Sequence, residues 1–114
     1  MNGKADVVEI DGSAISTWQE FHDVFAKQLG FPDFYGRNMN AWIDCMTSLD
    51  CPEDGLTNIH APSGGVLTLL ISNAKKLRNE AGEIWEALNE CAAFVNWRKI
   101  EVGERAVLSL AYYK

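Results

Sequence analysis

Asn40 and Asp44 are four residues apart, a spacing that stacks two side chains on one face of a helix. Placing the residues from Asn38 onward about 100° apart around a helix axis puts Met39, Trp42, Met46 and Leu49 on one side, with Ala41 and Cys45 at its flank. Asn40, Asp44, Thr47 and Ser48 fall on the other side, and Ile43 lies on the border. The polar side carries an amide, hydroxyls and a single carboxylate. Such a platform accepts hydrogen bonds and attracts one cation. The same residues equally suit an ordinary solvated helix face.

Catalytic chemistry finds little footing. There is no serine elbow, no HExxH, no pair of histidines at ligand spacing and no nucleotide fingerprint. Asp44 and Glu90 are acids of the kind that glycosidases pair, but nothing in the sequence puts them in one cleft. Cys45 points toward the apolar side of its helix, which makes it a poor nucleophile. Cys45, Cys51 and Cys91 match no zinc spacing and read as reduced thiols. A lone His22 reads as a surface residue, and His60 is assigned no chemistry. Gly64-Gly65 precedes a strand, whereas a phosphate loop leaves a strand and opens a helix. No catalytic residue, metal site or cofactor is expected.

The elements that position the polar platform follow from periodicity and punctuation. Asp6–Ile10 is a β-rich run ended by Asp11-Gly12. Ser16 with Gln19 reads as a capping box. The helix it opens buries Trp18, Phe21, Phe25 and Leu29, and Gly30 closes it. Pro32 turns the chain at Phe31, and Gly36 supplies a backbone shape closed to other residues. Asn38 or Arg37 sits where the Asn40/Asp44 helix begins, and asparagine is a good cap. Residues 50–65 read as a loop. Val66–Ile71 is almost continuously apolar, as a strand covered on both faces would be. Ser72 or Asn73 opens a third helix, with Lys75, Lys76 and Arg78 as a solvated face. Glu80 or Gly82 opens a fourth, with Ile84, Trp85, Leu88, Cys91, Ala92 and Val95 inward. Residues 97–105 read as a connector, with a possible short strand at 100–102, and Ala106–Tyr113 is the last strand. Strands separated by helices imply right-handed crossovers and a parallel sheet. The predicted fold is α/β, with a small three-stranded parallel sheet and about four helices. A hairpin of 99–102 with 106–110 is the alternative.

Composition bounds the rest. The 114 residues form one predicted domain, 1–114, and 47% hydrophobic content fills a real core. A net charge of −6 and a pI near 4.8 argue against a nucleic-acid surface, which needs a basic stripe, and suit a basic protein partner. No apolar run reaches membrane-spanning length, and the polar N-terminus is unlike a signal peptide. The expected setting is the cytoplasm.

The stretch Phe31–Leu49 resembles the central motif of the barstar family, intracellular inhibitors of barnase-type ribonucleases. That motif runs aromatic-Tyr-Gly-x-Asn-x-Asp-Ala-hydrophobic-x-Asp-Cys. Here it reads Phe34, Tyr35, Gly36, Asn38, Asn40, Ala41, Trp42, Asp44 and Cys45, over about nineteen residues. The resemblance implies the same three-stranded parallel fold and a bacterial immunity protein. This would be monomeric when free and would bind a basic, secreted ribonuclease one to one. Asp44 matches the acid that stands in for RNA phosphate. Phe34 matches the aromatic that packs over the target's histidine, with Tyr35 and Gly36 in the same binding loop. Asn38 matches the helix start, Ile43 and Thr47 match rim positions, and Glu90 matches an outlying acid on the fourth helix. Asn40 matches the family's first helix acid in position only, and Phe34 lacks the hydroxyl of the frequent tyrosine. The loss of the family acid at Asn40 favours the alternative, a module of this fold that binds a partner other than a ribonuclease.

Overall fold

A computed structural model describes residues 3–4 and 6–114, with side chains from Asp6 onward. Strand β1 (Gly3–Lys4) and strand β2 (Val7–Asp11) lead into a 3-10 turn and helix α1 (Trp18–Leu29). Helix α2 (Met39–Thr47) follows, then β3 (Ile59–His60) and β4 (Leu67–Ser72). Helices α3 (Ala74–Glu80) and α4 (Gly82–Glu101) precede the last strand, β5 (Leu108–Tyr112). The main sheet is parallel, in the order β2-β4-β5, with Val7 opposite Thr68 and Leu67 opposite Leu108. The expected architecture of three parallel strands and four helices is therefore present.

Several local expectations shift. Helix α1 is capped by Thr17, whose side chain accepts from the Glu20 amide, while Glu20 Oε1 accepts from the Ser16 amide and hydroxyl. The cap thus sits one residue later than Ser16/Gln19, on Thr17 and Glu20, a pair with the same three-residue spacing. Helix α4 runs to Glu101, so residues 97–101 are its last turns and not a connector. Among the described residues, no antiparallel fourth strand pairs with β5. Instead β1 and β3 form a separate two-stranded parallel ladder, too short to signal itself in sequence. On β4, Leu67, Leu69 and Ile71 are fully buried while Thr68 and Leu70 are half-buried. Helices therefore cover one face of the sheet fully and the other only in part, unlike the two-sided cover that its apolar run suggests.

The core explains why α1 and α2 lie where they do. Phe21, Phe25 and Trp42 are completely buried, with Phe25 and Trp42 edge to face at 5.6 Å. Burying each such ring contributes a few kcal/mol, on the order of 2–3. Leu29 ends α1 in the same cluster, and Gly30 turns the chain with φ 70°. A Cβ there would lie 2.5 Å from Asn58, so both conformation and space require glycine. The turn delivers the chain to the loop that precedes α2.

Candidate functional site

Residues 31–38 form the loop, and its inner side is fixed by aromatic packing. Phe31 and Tyr35 are buried with ring centroids 4.6 Å apart. The Tyr35 hydroxyl lies 2.6 Å from His22 Nδ1, and the two share a hydrogen bond whose direction the imidazole tautomer sets. His22, expected at the surface, is 4% exposed and stacks on Trp18. Burial, aided by the Arg37 charge, pushes its pKa below the usual histidine value, against a smaller opposing pull from Asp23. Burial also pushes the Tyr35 phenol well above its ordinary range. Both groups therefore stay neutral near pH 7, as a buried pair must.

The outer side of the loop has a different character. Phe34 is 77% exposed, more than any other large hydrophobic side chain among the described residues. Gly36 does not supply the left-handed turn expected of it. That conformation falls on Arg37, at φ 55°, which is uncommon for a residue with a Cβ. Arg37 Nη2 holds the loop back onto α1 through Asp23 Oδ1 at 2.7 Å and the Gln19 carbonyl at 3.1 Å. Asn38 then caps α2, its Oδ1 accepting from the Ala41 amide at 2.8 Å.

Helix α2 presents the platform read from its spacing. Asn40 and Asp44 are exposed, while Trp42, Ile43, Cys45 and Met46 are buried. Thr47 is half-buried, and its hydroxyl donates to the Ile43 carbonyl at 2.6 Å. Of the nine residues singled out in sequence, Phe34, Gly36, Asn38, Asn40, Asp44 and Glu90 stand exposed. Tyr35 and Ile43 are buried, and serve as supports beneath the surface.

Sequence reasoning did not foresee what Asp44 meets. Helix α4 packs along α2, and Arg98 Nη1 pairs with Asp44 Oδ1 at 3.0 Å, both side chains well exposed. The neighbouring Lys99 is buried, and its Nζ contacts the Thr47 carbonyl, Asp50 and Glu104. The fourth-helix periodicity does place Arg98 beside the buried Val95–Lys99 side, but pairing across helices leaves no mark in a single sequence. Among the described residues, no group of three or more His, Cys, Asp or Glu side chains could hold a metal. Among those residues, no helix is long and apolar enough to cross a membrane either.

Phe34 and the Asp44 carboxylate are both exposed, on the loop and on the helix that Asn38 caps. Residues 5–109 match the family model described as barstar (barnase inhibitor). The chain belongs to the barstar family. It is also similar to YrdF of Bacillus subtilis (strain 168), whose given name proposes a ribonuclease inhibitor, with 43% identity over 44 residues. That match covers 38% of this chain and 48% of YrdF, about half the length of the relative.

Proposed function

We propose that this barstar-family protein inhibits a basic bacterial ribonuclease by filling its RNA-cleaving cleft with α2 and the loop before it. Asp44 takes the place of an RNA phosphate among the cleft's cations, and Phe34 packs against the floor beside it. Tyr35 and Gly36 shape that loop, Asn38 fixes the helix start, and Asn40, Thr47 and Glu90 contact the rim, with Ile43 supporting it from within. The observation that carries this reading is the combination of a strongly exposed Phe34 with an exposed carboxylate on the adjoining helix, on a family scaffold described as a barnase inhibitor. The protein acts in the cytoplasm as a monomer that forms a one-to-one complex, guarding its own cell against a secreted toxin. Its net charge of −6 favours fast, salt-sensitive encounter with a basic enzyme.

The test is a titration of purified protein against a panel of basic bacterial ribonucleases while RNA cleavage is followed, beside melting curves of wild type and Asp44→Ala. Asp44 caps nothing and fills no core space, so Asp44→Ala should change stability by no more than about 0.5 kcal/mol. Inhibition should weaken at least about thirtyfold, as loss of a central contact does. Unchanged inhibition with a normal melt removes Asp44 from the mechanism. A second reading has one observation in its favour: Asn40 is an amide where the family carries an acid. On that reading the same surface binds a protein other than a ribonuclease, and native pull-down identifies it.

A further inference from the structure

We infer that Arg98 is a tethered counter-ion for Asp44, which any basic partner must displace, and that it thereby determines which ribonucleases the protein binds. This rests on the inhibitor reading given above. The pair is a single contact, one guanidinium nitrogen to one carboxylate oxygen at 3.0 Å, and not the two-pronged arrangement that makes such pairs strong. Its side chains are 41% and 65% exposed, so solvent screens it and its worth to folding is small. Exchange of partners is therefore easy.

Arg98 nevertheless cannot leave the neighbourhood. The next residue, Lys99, is buried and anchored at the C-terminal end of α2 by the Thr47 carbonyl and Asp50. That anchor holds the last turns of α4 against α2 and keeps the Arg98 backbone beside Asp44. With Asn40 neutral and Arg98 attached, the outer face of α2 offers a partner a carboxylate already matched by a cation. A purely basic cleft that accepts Asp44 also receives the guanidinium, and like charges repel. Arg98 thus opposes binding to strongly basic clefts and favours one that tolerates or accepts a cation at its edge. Phe34 and Asp44 alone would not make that distinction.

The experiment measures association rates and affinities with a ribonuclease that the wild-type protein inhibits, at low and at physiological salt. The variants are Arg98→Ala, Asp44→Ala, the double variant and Arg78→Ala. Arg78 is exposed and lies beside the N-terminal turn of α4, about 20 Å along that helix from Arg98. Its removal changes net charge equally without touching Asp44. Arg98→Ala should associate or bind about fivefold better at low salt, with the gain shrinking as salt rises. Arg78→Ala should give a smaller gain, and the gain from Arg98→Ala should vanish when Asp44 is already alanine. Unchanged or weaker binding by Arg98→Ala overturns the inference, as does a gain that survives in the double variant or is matched by Arg78→Ala. If Asp44→Ala alone has no effect, or no ribonuclease in the panel is inhibited, the inhibitor reading fails and takes this inference with it. A melting curve for Arg98→Ala close to wild type confirms that the comparison is between folded proteins.

Discussion

Individual side chains divide into buried and accessible ones, and thiol reactivity separates them. Cys45 is buried, and burial aided by the adjacent Asp44 charge pushes its thiol up to about 11. Cys51 and Cys91 are half-buried and unbridged, so Cys91 is more open than its helix phase suggests. Burial raises the thiol pKa of both, and nearby carboxylates add to the rise. Because the thiolate is the reacting species, timed alkylation with peptide mapping should label Cys51 first, in the loop after α2, and Cys45 last. Equal rates at all three would contradict the helix phase. Asn40 is the companion case on the outer face. Asn40→Asp adds a second acid one turn from Asp44, at a helix cost of only a few tenths of a kcal/mol. Association with an inhibited basic ribonuclease should quicken at low salt, and slower binding would mark the amide as a specific match to a less basic cleft.

At the scale of elements, the loop before α2 depends on α1 through His22, and that dependence has a sign. The folded-state pKa of His22 lies below the ordinary value of 6.5. Between the two values the unfolded chain binds more protons than the folded one, so stability rises with pH there. The contribution is complete above about pH 6.5 and is lost as pH falls through the folded-state value. Melting temperatures followed downward from pH 7 should fall less steeply in His22→Gln than in wild type, whatever the starting stability of the variant. Parallel curves would show that the His22–Tyr35 bond carries no pH dependence. This bond also shows where sequence reading stops. The phase of α2, its Asn38 cap and the Gly30 stop were all legible, because each is set by residues within one turn. The parallel sheet was legible because strands separated by helices imply right-handed crossovers. His22 was not, since nothing local says that a tyrosine thirteen residues on will cover it. Arg98 was not, since its partner comes from another helix. Gly36 misled because the left-handed turn is stabilised at Arg37 by bonds to Asp23 and Gln19.

Across the whole molecule, Lys99 joins parts that the backbone keeps far apart. Its ammonium contacts the Thr47 carbonyl at the end of α2, Asp50 at the start of the following loop and Glu104 in the turn before β5. A cation suits the end of a helix, where unpaired carbonyls concentrate negative charge. Burial pulls the Lys99 pKa down, but its hydrogen bonds to Asp50 and Glu104, together with their charges, more than offset that and raise it. Lys99→Met keeps the apolar stem and removes the charge. The Thr47 carbonyl then loses its side-chain partner, while Asp50 and Glu104, 42% and 56% exposed, return to water. The loss should be about 1–2 kcal/mol, below the figure for a wholly buried pair because both acids rehydrate. Since the folded-state pKa is raised, this contribution is fully present below the unfolded value near 10.5 and is lost as pH rises through the folded one. Burial raises Tyr35 and Tyr112 as well, and both weaken the fold at high pH in the same direction. The contrast with Lys99→Met isolates the lysine: wild type should lose its advantage in denaturant midpoint as pH climbs beyond 10.5, until the two proteins converge. A constant gap across that range would mean that Lys99 stabilises by packing alone. In that case its charge would not be what holds α4, and Arg98 with it, against α2.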